Sequence, residues 1–202
     1  MRSIVYRRVF AGKAEVTMNY AAIKKSDIAN GEGIRTTVFV SGCRNRCKNC
    51  FQPETWSFDY GSPFTDGVME EIFKTFENPV VKGLTILGGE PMEPENQRGL
   101  LPFLKEFKRR YPKKTVWLYT GNLYETLVGE VGSHPKCIDI TGELLGFVDI
   151  LVDGPFIEEE KRLGLRFRGS ANQRIIDMNK TRETGRVIIW DGVSEDKNYG
   201  GK

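Results

Sequence analysis

The sequence has no long apolar run, a single histidine and few cysteines, and each shortage excludes a class of protein. No stretch of about 18 apolar residues occurs, so we expect no membrane span. The first eight residues contain no apolar signal-peptide core, so we expect a cytoplasmic protein. Four cysteines among 202 residues do not indicate a disulfide framework. A net charge of +3 is too small to indicate nucleic-acid binding.

Three of the four cysteines are close together in the sequence. Cys43, Cys47 and Cys50 have the spacing C-x-x-x-C-x-x-C, with no histidine or fourth cysteine nearby. Structural zinc normally takes four protein ligands, and a cubane iron–sulfur cluster usually takes four cysteines. Three ligands therefore favour a cluster with one iron left open to react. A zinc site or another structural metal site is the alternative at this point.

Strand and helix patterns alternate along the chain. Strands are predicted at residues 34–40, 80–87, 115–119 and 148–152, and helices at residues 68–76, 100–111, 123–130 and near 144. This alternation is typical of an α/β fold with a mostly parallel sheet. A complete eight-stranded barrel needs about 250 residues, so we predict a partial, open β/α barrel. We expect one domain over residues 1–202, with a flexible tail from about 192 to 202.

Several local features refine this prediction. Val16, Met18 and Tyr20 alternate like one face of a strand. Thr65 is available as the N-cap of the helix near residue 68. Pro102 must kink its helix or lie in the first turn, because proline cannot donate a backbone hydrogen bond.

Turn-forming residues follow the predicted strands at the ends where α/β proteins bind ligands. The cysteine stretch follows the first predicted strand, and Gly88-Gly89-Glu90-Pro91 follows the second. Thr120-Gly121-Asn122 and Asp153-Gly154-Pro155-Phe156 follow the next two. Ordinary turn chemistry is the alternative for each. As a ligand residue, Asp153 could contact ribose hydroxyls, a substrate peptide or a cation.

The cysteine spacing with Phe51 directly after it resembles the cluster motif of the radical S-adenosylmethionine (SAM) enzymes. The resemblance implies a partial barrel of that family's type. It also implies that Cys43, Cys47 and Cys50 are the catalytic ligands of a [4Fe-4S] cluster whose open iron is chelated by SAM. The Gly-Gly-acid-Pro corner would recognise the amino end of SAM. The residues that would bind or flank this cofactor are Asn49, Cys50, Phe51, Gly88, Gly89, Glu90, Thr120 and Asp153.

A second stretch, residues 166–177, resembles one branch of these enzymes, the activating proteins of anaerobic ribonucleoside-triphosphate reductase. The likeness covers residues 16–190, but Asn30-Gly31-Glu32-Gly33 stands where relatives commonly have Asp-Gly-Pro-Gly. It implies an enzyme that reductively cleaves SAM, with the 5′-deoxyadenosyl radical then taking hydrogen from a glycine of the reductase. A low-potential electron donor is also implied. Arg168, Asn172 and Arg174 are expected near the partner or the mouth of the site.

Two alternatives to this function stay open. One is an activase of another glycyl-radical enzyme such as pyruvate formate-lyase, and the other is a non-enzymatic metal-binding module. Cys137 is expected to be a packed thiol and His134 a solvated loop residue. The six basic residues between 105 and 114 fit a helix end better than a nucleic-acid interface.

Overall fold

The computed structural model describes residues 18–162 and 164–192, which form an open seven-stranded sheet with helices. The strands are β1 (Asn19–Asp27), β2 (Ile34–Val40), β3 (Ser62–Pro63), β4 (Val81–Gly88), β5 (Thr115–Tyr119), β6 (Ile150–Asp153) and β7 (Arg174–Asp177). Their spatial order is β3-β1-β2-β4-β5-β6-β7. Strands β2, β4, β5 and β6 are parallel, whereas β1 and β3 on one side and β7 on the other pair antiparallel.

Five α-helices follow or connect these strands in the described ranges. They are α1 (Asp66–Thr75), α2 (Pro94–Arg110), α3 (Tyr124–Leu127), α4 (Thr141–Gly146) and α5 (Met178–Thr184). Helix α2 connects β4 to β5, and α3 and α4 lie between β5 and β6. Two 3₁₀-helices span Pro53–Trp56 and Glu158–Glu160. None of the helices in the described ranges has the length and apolar character needed to cross a membrane.

The predicted alternation of strands and helices is confirmed, and so is an open, mostly parallel α/β sheet. Strands β2 and β5 have the predicted bounds, while β4 and β6 begin one and two residues later than predicted. The Thr65 hydroxyl caps α1 by accepting a hydrogen bond from the Val68 amide at 3.4 Å. Pro102 lies in the interior of α2 and not in its first turn, because the helix already begins at Pro94. Val16 and residues 193–202 of the predicted tail (about 192 to 202) lie outside the described residues.

Side chains of the parallel strands alternate between two faces of the sheet. On β5, Val116 and Leu118 join the main core with the helices, while Trp117 between them joins a second cluster with Ile150 and Val152. This alternation follows from the two-residue period of a strand. The helices therefore cover one face, and the other is left for a smaller aromatic cluster and for the site.

An arginine is buried on this second face, with only 1% of its surface exposed. Arg35 on β2 donates from Nε to Thr85 Oγ1 at 2.6 Å, and from Nη2 to the carbonyls of Leu84 at 2.7 Å and Thr115 at 3.0 Å. Burial lowers the pKa of this guanidinium to about 10, because the charged form loses hydration. Arg35 thus connects β2, β4 and β5 through hydrogen bonds.

Replacing Phe103 with alanine is expected to destabilise the main core. This fully buried ring on α2 lies 5.2 Å from the ring of Phe64 and is stacked on Phe73 at 5.4 Å. Its loss should lower the free energy of unfolding by about 3–5 kcal/mol, measured by urea denaturation. The matched control, Val80→Ala, removes a side chain that is half exposed and should change it by less than about 0.5 kcal/mol. Equal stability of the two variants would contradict this packing.

Candidate functional site

The three clustered cysteines lie on an irregular loop that directly follows β2. Backbone hydrogen bonds join this loop to the next 3₁₀-helix: the Gly42 amide donates to the Thr55 carbonyl at 2.8 Å and the Cys43 amide to the Trp56 carbonyl at 3.2 Å. Arg46 and Asn49 have φ values of 47° and 55°, in the left-handed region that non-glycine residues rarely adopt. The loop therefore holds a specific, irregular conformation.

Cys43, Cys47 and Cys50 all line one cavity of about 950 Å³. Cys43 is buried, the other two are half-buried, and all three are free thiols. Burial raises the pKa of the Cys43 thiol to about 11. Burial, followed by the proximity of Cys50, also raises the pKa of Cys47. A cation in the cavity would offset this cost, because metal ligation stabilises the thiolate.

The three free thiols that line this cavity could together hold a metal centre that leaves one position open. A cubane is larger than an ion, since each cysteine binds a different iron at its own corner. Three thiols spaced around a shared cavity therefore suit a [4Fe-4S] cluster with one corner free.

Glu90 is the polar centre of the strand ends beside this loop. It is 1% exposed, and its carboxylate accepts five hydrogen bonds. The donors are the Met92 amide at 2.9 Å, the Thr120 hydroxyl at 2.8 Å, Asn45 Nδ2 at 2.8 Å, the Gly121 amide at 2.9 Å and Asn122 Nδ2 at 3.0 Å. Glu90 thus joins the ends of β4 and β5 to the cysteine loop.

The two glycines before Glu90 allow this close approach. Gly88 has a φ of 107°, and a Cβ on it would lie 2.7 Å from the backbone N and O of Val40. A Cβ on Gly89 would lie 2.7 Å from the Gly42 carbonyl oxygen. The Gly89 amide donates to the Val40 carbonyl at 2.7 Å. Any side chain here would push the β4 corner away from the cysteine loop.

The structure brings most of the predicted site residues together. Those that line the cavity are Cys43, Cys47, Cys50, Phe51, Gly88, Gly89 and Thr120. Of the predicted cofactor residues, Asn49, Glu90 and Asp153 are absent from that lining. Asn49 is exposed on the loop and Glu90 is buried behind it.

Asp153 is paired with protein groups at the end of β6. Its fully buried carboxylate accepts hydrogen bonds from Arg174 Nε at 2.9 Å, from Arg174 Nη2 at 2.5 Å and from the Tyr124 amide at 2.8 Å. The same guanidinium pairs with Glu125 at 2.7 Å, and these carboxylates raise the pKa of Arg174. Asp153 and Arg174 therefore connect β6, β7 and α3.

The cavity is also lined by two residues that the sequence did not single out, Trp56 and Tyr119, and by Arg168, which was expected near its mouth. Trp56 Nε1, the Tyr119 hydroxyl and Arg168 Nε are buried and have no hydrogen-bond partner among the described residues. All three residues line the cavity. Burial raises the pKa of Tyr119, which keeps the phenol protonated. Buried polar atoms are normally paired, so three unpaired ones on residues that line a single cavity are an unusual feature of this site. The alternation of β5 is the only sequence signal for Tyr119, which faces the same side as Trp117.

A family comparison agrees with this chemistry. The model of the family described as "4Fe-4S single cluster domain" matches residues 29–176. That range contains the three clustered cysteines, the strands from β2 to β6 and all but the last residue of β7.

Curated relatives give the chain its family. It is 39% identical to the anaerobic ribonucleoside-triphosphate reductase-activating protein of Haemophilus influenzae, over 78% of this chain and 97% of that protein. The proteins of the same name from phage T4 and Escherichia coli K12 are 34% and 32% identical, over 93% and 96% of their lengths and 78% and 77% of this chain. The resemblance found in the sequence is confirmed: the chain belongs to the family of anaerobic ribonucleoside-triphosphate reductase-activating proteins.

Proposed function

We propose that this chain activates an anaerobic ribonucleoside-triphosphate reductase by generating a glycyl radical on it, using a [4Fe-4S] cluster and SAM. The observation that carries the proposal is the cavity that three free thiols line together with the glycine corner, in a chain of this family. When bound, the cluster supplies the electron that cleaves SAM, and this cleavage provides the radical that takes a hydrogen atom from the partner's glycine.

The three cysteines hold the cluster and leave one iron corner for SAM. Cys43, buried at the end of β2, is the most enclosed ligand, and Cys47 and Cys50 lie nearer the opening. The backbone of Gly88 and Gly89, together with Thr120, forms the wall that faces the amino end of SAM. Glu90 acts behind this wall as a positioning residue, because its carboxylate is already saturated by protein donors.

The mouth of the cavity suits a peptide loop of the partner. The volume of the cavity, about 950 Å³, is near the upper end of the range for ordinary ligand pockets, which is about 300–1,000 Å³. Phe51 is 75% exposed at this mouth, with Phe156 6.0 Å away and Lys161 Nζ 5.0 Å from its ring centre. Exposed aromatic side chains are typical of protein interfaces. We infer that the glycine-bearing loop enters beside Phe51.

The proposal extends to fold and surroundings. Four parallel strands with a cavity at their carboxyl ends support a partial barrel of the radical SAM type. One sheet joins segments from residue 19 to residue 177, which supports a single domain. All four cysteines are free thiols, which is consistent with a reducing cytoplasm. The reduction of the cluster also requires a low-potential electron donor.

An anaerobic assay tests the function directly. The chain is reconstituted with iron and sulfide, reduced, and mixed with SAM and the reductase, and the glycyl radical is sought by electron paramagnetic resonance (EPR). We expect a SAM-induced change in the cluster signal and a radical on the reductase. The assay is repeated with pyruvate formate-lyase in place of the reductase. If a radical formed only on pyruvate formate-lyase, the proposed partner would be wrong. A cluster that SAM does not affect, or a bound zinc ion, would make the chain a metal-binding module and refute the proposal.

Arg168→Ala is expected to weaken SAM binding or reductase activation without unfolding the chain. Arg168 lines the cavity; its Nη1 donates to the Gln173 carbonyl at 3.0 Å, and its buried Nε has no hydrogen-bond partner among the described residues. Losing one charge-assisted hydrogen bond to a ligand should lower activation by about 10-fold or more. The control is Arg166→Ala, which removes an exposed guanidinium over the Phe167 ring. Unchanged activation in the Arg168 variant would exclude this residue from ligand binding.

A further inference from the structure

A buried lysine beneath the cysteine loop has no part in the chemistry described above. Lys136 lies between α3 and α4 and is 6% exposed. Its ammonium contacts Asn45 Oδ1 at 2.5 Å and Glu93 Oε1 at 3.1 Å. A buried charge is tolerated only when it is paired and hydrogen-bonded. Both of its partners lie on or against the cysteine loop, so the lysine joins that loop to a segment ninety positions away in the chain.

Asn45, halfway between Cys43 and Cys47, forms hydrogen bonds with both Lys136 and Glu90. Its Nδ2 donates to Glu90 Oε2 at 2.8 Å, while its Oδ1 accepts from the lysine. The reverse orientation of the amide would set its N–H groups against an ammonium and its oxygen against a carboxylate. The Asn45 side chain is therefore held at both ends in one orientation.

Glu93 anchors the neighbouring residue of the loop. This carboxylate is 1% exposed, and it accepts the Arg44 amide at 2.8 Å and Arg44 Nη1 at 2.6 Å. The lysine itself is held from α2, because Gln97 Nε2 donates to the Lys136 carbonyl at 2.7 Å. Both residues that follow Cys43 are thus tied to buried charges.

We propose that Lys136 is a positioning residue that acts through Asn45 and Glu93 to hold the stretch between the first two cysteines ready for the cluster. The inference rests on the proposed function to the extent that these cysteines are the cluster ligands. The loop needs such anchors, because Arg46 within it has a left-handed backbone conformation that a free loop would seldom keep. Orienting residues of this kind commonly change metal affinity about 10- to 100-fold when they are removed.

The first test is the substitution Lys136→Met. The matched control is Lys105→Met, which makes the same change at an exposed lysine. Lys105 pairs with Glu143 at 2.7 Å on the surface, with 48% of its side chain exposed. In hydrogen–deuterium exchange of the iron-free chain, only the Lys136 variant should show faster exchange, confined to residues 43–50. After reconstitution, its iron affinity should fall about 10- to 100-fold and the EPR signal of the reduced cluster should change. Exchange and affinity equal to those of the Lys105 variant would overturn the proposal.

A double variant tests whether the lysine acts through the asparagine. Asn45→Ala should loosen the same loop, and adding Lys136→Met to it should produce much less than the sum of the two effects. Full additivity would overturn the proposal. If Lys136→Met unfolds the whole chain, the Asn45→Ala variant is used as the test. The proposal then still requires faster hydrogen–deuterium exchange that is confined to residues 43–50. A wild-type chain that takes up no cluster refutes the proposed function, whereas exchange in the iron-free chain still tests Lys136.

Discussion

Replacing Cys47 with alanine is expected to abolish assembly of the iron–sulfur cluster and all cleavage of SAM, while the apo chain stays folded. Cys47 is one of only three thiols in the cavity, so its loss leaves two protein ligands for a cluster that needs three. The loop lies outside the sheet and the main core, so the fold does not depend on this side chain. Iron content, visible absorbance and circular dichroism measure the three parts of this result.

Cys137→Ala is the matched control, because it removes the one cysteine that does not line the cavity. Cys137 is half-buried, with its sulfur near Gly129, as expected for a packed thiol. This variant should bind as much iron as the native chain and cleave SAM at a similar rate. A normal cluster in the Cys47 variant would disprove the assignment of the ligands.

Glu90→Gln is expected to produce the second large effect, a loss of stability even in the absence of cofactor. The native carboxylate accepts five hydrogen bonds in a site with 1% exposure. An amide in its place has one oxygen. Whichever way it turns, its N–H groups face the Met92 amide on one side or the Gly121 amide on the other. Leaving such buried donors unpaired should lower the free energy of unfolding by about 2–4 kcal/mol.

Glu95→Gln supplies the comparison for this measurement. Glu95 pairs with Arg44 at 2.6 Å, but 43% of its side chain is exposed, so its loss should cost less than about 1 kcal/mol. Urea denaturation of both iron-free variants separates the two cases. If Glu90→Gln were as stable as the native chain and lost only affinity for SAM, the carboxylate would be a ligand-binding group and not a positioning residue.

Much of the scaffold could be predicted because its signals are local. The β-branched run from Ile34 to Val40 and the sequence TVWLY at 115–119 have the composition of buried strands, and both form strands with those bounds. Thr65 was recognisable as a cap because capping depends on residues three positions apart. Of the two positions that the sequence allowed for Pro102, the first turn is excluded because α2 begins at Pro94, earlier than its apolar pattern indicates.

The roles of the acidic residues could not be read in this way. Glu90 and Asp153 both follow strands, and both were predicted to contact the cofactor. In the structure Glu90 accepts hydrogen bonds from donors of three segments, and Asp153 is paired with Arg174, twenty-one positions later; their predicted contact with the cofactor stays a prediction. A residue's place at a strand end fixes which edge it is near. It does not fix which of the charges that converge there will become its partner.

By itself, the sequence determined the order of strands and helices, the three neighbouring thiols and the family, because each depends on residues that are close together in the chain or on their pattern. Only the tertiary structure decided which groups line the cavity and which are paired with other protein groups around it. Lys136 shows the reason, because its contact with Asn45 joins segments ninety-one residues apart. A buried ammonium without such a partner would strongly destabilise the fold. No local pattern encodes such a contact, since it exists only after the sheet has brought the two segments together.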